Sequence, residues 1–383
     1  MQNWKELENN KQMEYKRLGD YIRPVDVRNR ELKVNLSQGI CNAKYFQNPK
    51  QVAENPETHK IVGTGQFAYN RATTRNGDKI SIALREGPDC TVSSAYQVFE
   101  IVDENKLNPR YLMMWFKRPE FDRYAIYYSH GSAHEFFEYE AMCDVMLPVP
   151  SIDRQREIVS EYETLSNRIR LNEQMIANLE ETAQALYRKM FVDGVDKENL
   201  PEGWRRLSIF DITKVIYGYP FDSELFCNDN RFTPIIRIRD ILENKTDTYT
   251  TEKTDIKYQI NDGDILIGMD GVFHMTIWSG GYAYQNQRIV RVIPNAEEFI
   301  SSYQIYFAIF NPIKELETSI EGTTVAHLSD KDMKKLSIIV ATQDIQEKAY
   351  SQLEIINRNV NVCKKENLKL TELQSLLLAR MGK

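Results

Sequence analysis

The sequence predicts a mixed α/β protein, with two α/β modules joined by two long helices and related by an internal pseudo-twofold repeat. Three observations predict it: a repeat at a fixed offset of 191 residues, a heptad seam in each copy, and an alternation of divergent and similar segments. In the repeat, Gly131, Met142, Val149, Asp153, Gln155, Ser160, Glu163, Leu179, Glu181, Leu186 and Met190 recur as Gly322, Met333, Val340, Asp344, Gln346, Ser351, Glu354, Leu370, Glu372, Leu377 and Met381. Eleven identities over 60 ungapped positions exceed what composition gives. Upstream only fragments match: Tyr15-Lys-Arg-Leu18 with Trp204-Arg-Arg-Leu207, and Tyr111-Leu-Met-Met-Trp-Phe116 with Tyr303-Gln-Ile-Tyr-Phe307. Duplication for stability alone would not leave one segment type in register and the other divergent.

Four regions follow in order: a module at 1–150, a helix at 151–194, a second module at 195–340 and a second helix at 341–383. In the first module, short apolar runs at 79–84 and 96–102 read as strands, separated by Asn76-Gly77 and Gly87-Pro88 turns. The first helix is set off by Pro148 and Pro150, with Ser151 or Asp153 as cap and Gly194 just past its end. Its seam is Ile158, Tyr162, Leu165, Ile169, Asn172, Ile176, Leu179, Ala183, Leu186 and Met190, alternating by four and three. The second module carries apolar runs at 233–238, 264–267 and 288–293, with turns at Asn261-Asp-Gly-Asp264 and Gly280-Gly281. The second helix repeats the seam as Ala349, Leu353, Ile356, Val360, Cys363, Asn367, Leu370, Gln374, Leu377 and Met381. Each seam is roughly 50 Å long at about 1.5 Å per residue. A module must fit between the helices, so antiparallel pairing is expected. End-to-end alignment then sets Asn172 against Asn367, a polar pair of the kind that specifies register.

Charge and composition narrow the function. The chain has 49 Lys+Arg, 55 Asp+Glu and a net charge of −6, which by itself speaks against nucleic acid. Yet residues 28–85 hold ten basic and four acidic side chains, with Arg71, Arg75 and Lys79 set among Tyr69, Asn70 and Asn76. These are residue types that contact phosphates and base edges. The apolar runs are too short to span a membrane, and the first residues lack a signal-peptide core, so a cytoplasmic protein is expected. Five scattered cysteines without a C-x-x-C pair argue for reduced thiols and against structural zinc. There is no phosphate-binding G-x-x-x-x-G-K-[ST] loop and no N-P-P-[YF] tetrapeptide. His130 and His134 are spaced for a helical metal pair, but Gly131 between them points to a loop. Recognition rather than catalysis is expected.

Several motifs occur in sequence. Gly131-Ser-Ala-His-Glu-Phe-Phe137 leads to Met142-Cys-Asp-Val-Met-Leu-Pro-Val-Pro-Ser-Ile-Asp-Arg-Gln-Arg-Glu-Ile158, then to Leu179-Glu-Glu-Thr-Ala-Gln-Ala-Leu-Tyr-Arg-Lys-Met-Phe191. Leu200-Pro-Glu-Gly-Trp204, Gly263-Asp-Ile-Leu-Ile-Gly-Met-Asp-Gly271 and Asn286-Gln-Arg288 follow. Together they make the chain resemble, over essentially its whole length, the specificity (S) subunits of type I restriction–modification systems. The second copy departs in lacking both prolines before its helix and in carrying Cys363, Asn367 and Gln374 in its seam.

The resemblance implies two target recognition domains, each reading half of a split site in double-stranded DNA. It implies an antiparallel coiled coil that fixes the spacer, two methyltransferase (M) subunits docked on it, and endonuclease/translocase (R) subunits. No catalysis is expected of this subunit, and S-adenosylmethionine, ATP and Mg²⁺ belong to the partners. The candidate DNA-contacting residues in the first half are Asn70, Arg71, Thr74, Arg75, Asn76, Lys79, Ser129, His130, Ser132 and His134. In the second half they are Arg237, Arg239, His274, Gln285, Asn286, Arg288, Thr323, Thr324 and His327. The alternative from the residues alone is a nuclease, or a methyltransferase fragment, with built-in DNA recognition.

Overall fold

The computed structural model describes residues 14–49, 55–73, 77–129, 135–295, 299–319 and 326–382. The chain divides into two compact units. One comprises Met1–Asn167 with Leu370–Lys383, and the other Arg168–Lys369. The dividing points fall inside both long helices rather than at their ends. Part of each helix packs into the apolar cluster of the module beside it.

In the first unit a four-stranded antiparallel sheet runs in the order Ile22–Val25, Tyr96–Ile101, Phe67–Asn70, Ile82–Leu84. Phe67 and Phe99 stack across it at 5.0 Å between ring centroids. Behind the sheet lie the helices Pro109–Phe116 and Pro119–Tyr127, each with proline in its first turn, where no amide partner is needed. Asn108 caps the first of these by accepting from the Arg110 and Tyr111 amides. A separate pair, Tyr15–Arg17 with Met146–Pro148, brings the chain to the long helix. The buried Lys44 ammonium is held by Asp122 at 2.7 Å and by the Phe116 carbonyl. Burial pushes that ammonium below its usual range, against the pull of Asp122.

The second unit builds the same sheet: Thr213–Tyr217, Ile289–Pro294, Ile265–Gly268, Met275–Ile277, all antiparallel. The helix behind it, Ser302–Ser319, is unbroken and keeps Pro312 inside. Arg205–Ser208 pairs with Ser337–Val340 as the counterpart of the first unit's pair. That register sets Tyr15, paired with Pro148, at the place of Arg206, paired with Ile339. The match of Tyr15 to Trp204 is therefore corrected by two residues, back to the 191-residue offset. What the second unit adds is a five-stranded sheet, ordered Phe226–Cys227, Tyr249–Thr250, Thr233–Ile236, Ala283–Gln285, Gln259–Ile260. The first unit has two small pairs instead, Gly39–Ile40 with Phe46–Gln47 and Lys60–Val62 with Cys90–Val92.

The long helices span Ile152–Phe191 and Gln343–Arg380. The Ser151 hydroxyl accepts from the Arg154 amide at the start of the first. The repeated glutamines explain themselves here. Gln155 is fully buried and binds the backbone of Lys106, Asn108 and Pro150. Gln346 does the same with Phe299, Ala341 and the side chain of Gln304. Both pin a helix to its module.

Within the second unit, Ile176, Leu179, Ala183 and Leu186 share one apolar cluster with Leu353, Ile356 and Val360. The Asn172 amide donates to Asn367 Oδ1 at 2.9 Å and to Glu366 Oε2 at 2.8 Å. Arg168 makes a two-nitrogen contact to Glu366, and Lys364 meets Glu180. Arg168 and the Asn172 amide hold the Glu366 carboxyl below the usual carboxylate range. Within the first unit, Ile158, Tyr162, Leu378 and Met381 share another cluster, and Gln374 donates to the Ser166 hydroxyl at 2.7 Å. Later residues of one helix thus meet earlier residues of the other, an antiparallel pairing. Leu165, Ile169, Leu370 and Leu377 are half-buried along the same seam.

Candidate nucleic-acid interface

Among the described residues, each unit has an isolated bridge just beyond an inner strand of its four-stranded sheet. In the first, Ala72 pairs with Phe136; the Thr73 amide donates to the Glu135 carbonyl and the Phe137 amide to the Arg71 carbonyl. In the second, Asp270 pairs with His327; the Gly271 amide donates to the Ala326 carbonyl and the Leu328 amide to the Met269 carbonyl. Phe136 and His327 are equivalent in the 191-residue repeat, so the two bridges are the same structural feature.

The side chains on the bridges differ. In the first unit Arg71 reaches Glu138 at 3.1 Å, donates Nε–H to the Ala95 carbonyl at 3.3 Å, and lies 5.7 Å from the centre of the Phe136 ring. In the second, Asp270 holds two partners: Arg288 Nε at 3.2 Å and His327 Nδ1 at 2.6 Å. The Arg288 and His327 side chains remain about half exposed, at 55% and 49%. Strand register makes Ala95 the counterpart of Arg288, since Tyr96 opposite Asn70 matches Ile289 opposite Gly268.

The other sequence-predicted residues divide into groups. Lys79 and Arg239 are exposed, the latter 3.7 Å from Asp240. His274 is half-buried in the turn after Gly271, its carbonyl accepting from the Gly268 amide. Asn70 spends its side-chain oxygen on the Ala72 amide, which shapes the chain into the bridge. Thr74, Arg75, Asn76, His130, Ser132, His134, Thr323 and Thr324 lie outside the described residues.

Four others are engaged within their unit. Ser129 is buried and its hydroxyl donates to the Ala125 carbonyl, closing a helix end. Gln285 is fully buried and its amide donates to the Ile216 and Ile289 carbonyls, tying the five-stranded sheet to the four-stranded one. Asn286 is buried in a bridge to Tyr219. Arg237 binds Thr248 and Asp240 and caps a short helical turn. Sequence alone reads polarity, and these polar groups satisfy neighbours inside the unit.

The described part of the basic stretch has internal partners as well. Arg28 and Lys60 meet Asp26, Lys33 meets Glu31, Lys44 meets Asp122 and Arg71 meets Glu138. Arg85 is buried against Gln38 and the Pro88 carbonyl. The local excess of positive charge is therefore largely used within the unit. What the sequence reading missed is the carboxylates. Asp270 sat in the quoted Gly263–Gly271 motif, but nothing there shows that it faces Arg288 and His327.

Two copies of one sheet, each followed by an equivalent bridge and each packed on part of two antiparallel helices, define a twice-built α/β protein. Residues 201–372 match the family described as the Type I restriction modification DNA specificity domain. The chain is similar to the type I restriction enzyme EcoBI specificity subunit of Escherichia coli, at 29% identity over 135 residues. That match covers 35% of this chain and 28% of that protein. It is also similar to the MjaIX specificity subunit of Methanocaldococcus jannaschii, at 22% identity over 78% of this chain and 73% of that protein. The crystal structure of a type I restriction–modification S subunit from M. genitalium shares the fold, with a TM-score of 0.60 at 13% identity and 98% of both chains covered. The chain is thus similar to the specificity subunits of type I restriction–modification systems, and its residues 201–372 carry their specificity domain. Among the described residues, no helix is long and apolar enough to cross a membrane.

Proposed function

We propose that the protein is the DNA-recognition subunit of a type I restriction–modification complex, reading a bipartite, asymmetric target with one half-site per unit. The observation that carries this reading is the doubled sheet with unlike side chains on equivalent bridges. One scaffold with two chemistries is what two unlike half-sites require. The paired helices act as a coiled-coil ruler for the unspecified spacer and dock two methyltransferase subunits. Exposed Ile355, Val362, Leu373 and Leu376 support that docking, since their spacing sets them on one side of the second helix. Endonuclease/translocase subunits complete the assembly. The chain has no catalysis of its own; S-adenosylmethionine, ATP and Mg²⁺ act in the partner subunits. The complex works in the cytoplasm.

The test is methylome sequencing of a host carrying this chain with its methyltransferase partner, followed by binding of the purified pair to the motif found. A split, asymmetric motif is expected. Affinity should fall with salt at a log–log slope of about −0.9 per phosphate contacted. An unsplit motif, or binding indifferent to salt, overturns the proposal. Metal-dependent cleavage by the chain alone would favour a nuclease.

A further inference from the structure

We infer that Asp270 and Glu138 are positioning residues, which hold Arg288 and Arg71 as the guanine readers of the two half-sites. This rests on the DNA-recognition reading above. The two arginines differ in sequence position but reach the same place in the fold. Arg288 stands just before the strand Ile289–Pro294. Arg71 starts on the neighbouring segment and crosses to the Ala95 carbonyl, the counterpart of Arg288. Each guanidinium is then held by one carboxylate, Arg288 by Asp270 at 3.2 Å and Arg71 by Glu138 at 3.1 Å. The repeat-equivalent residues Phe136 and His327 flank these pairs, the ring lying 5.7 Å from Arg71 and the imidazole 2.6 Å from Asp270. The arrangement is thus rebuilt with different residues, which a chance surface ion pair would not require.

The chemistry favours a base edge over a phosphate. A guanidinium already neutralised by a carboxylate is a poor point charge for phosphate, and the carboxylate repels the DNA backbone. It remains a planar fork with five N–H groups, of which the carboxylate occupies one side. A fork fixed in this way matches the O6 and N7 acceptors of guanine in the major groove. Holding it in advance also reduces the freedom lost on binding.

The test uses the full chain with its methyltransferase partner and selection from a randomised duplex library. Wild type should select one guanine in each half-site that depends on these groups. Arg288→Lys keeps the charge and loses the fork; it should lower discrimination at one position of one half-site by roughly tenfold to a hundredfold, leaving the salt slope unchanged. Asp270→Ala should relax that same position while overall affinity holds or rises, because the freed charge attracts DNA without sequence preference. Arg71→Lys and Glu138→Ala should do the same at one position of the other half-site. If Asp270→Ala does not fold, Asp270→Asn, which keeps an acceptor, should show a smaller loss at the same position. Uniform weakening across all sequences in Arg288→Lys, or relaxation by Asp270→Ala at a different position, overturns the inference while leaving the DNA-recognition reading intact. A wild-type complex that selects no motif overturns that reading itself.

Discussion

At the centre of the first unit's sheet stand Phe67, Tyr69 and Phe99, all fully buried. At the equivalent register positions in the second unit stand Ile265, Ile267 and Val292, equally buried. The first core is aromatic and the second aliphatic, yet strand order and pairing are the same. Among the described residues each unit also buries an ion pair, but at unrelated places: Lys44 with Asp122 in one, Arg291 with Asp264 at 3.1 Å in the other. Burial pushes the Asp264 carboxyl up, while Arg291 and the Asn261 amide oppose that shift. The comparison teaches that the topology depends on where apolar residues alternate, and not on which ones they are. The helices are held to a tighter standard, because a helix seam keeps its register only if every fourth and third residue agrees. This is why the repeat is visible along the helices and fades in the sheets.

The largest way to break the comparison is through the buried pairs. Asp122→Ala leaves the Lys44 ammonium unpaired among apolar neighbours and also removes the acceptor for the Ile80 amide. A loss of about 3–5 kcal/mol is expected, confined to the first unit. Urea unfolding followed by hydrogen exchange would check it; equal loss of protection in both units would show that they do not fold separately.

Next is a position where the units part company. Gly218 in the second unit is equivalent to Val27 in the first, two residues beyond the matched register of Val25 and Ile216. A Cβ on Gly218 would sit 1.9 Å from the Asn286 carbonyl oxygen, whereas the Val27 side chain is 55% exposed. Gly218→Ala should cost about 3 kcal/mol or more, and Val27→Ala less than about 0.5 kcal/mol. Thermal melts of the two variants separate these outcomes, and a silent Gly218→Ala would contradict the close approach.

The smallest effect concerns what the helices share. Replacing Asn172 and Asn367 together by Leu should raise the Tm by a few degrees and loosen the register, since the pair gives specificity at some cost in stability. Paired cysteines placed across the seam would report register by cross-linking. Lower stability with one register retained would count against a specifying role.

The sequence by itself determined the duplication, the long helices, their antiparallel pairing partners near Asn172 and Asn367, and the family resemblance. Those features rest on periodicity, which is local and repeats along the chain. It did not disclose that the divergent modules share one sheet, because a strand tolerates Phe or Ile, Tyr or Ile, at the same inward position. Nor did it separate contact residues from structural ones. Gln285 and Arg288 are three residues apart in similar polar surroundings, yet one is fully buried and the other exposed. Only the tertiary structure decided which polar side chains find partners inside, and which carboxylate from a distant segment comes to lie beside each arginine. That choice depends on contacts between residues far apart in sequence, as with Asp270 and His327, which no local pattern encodes.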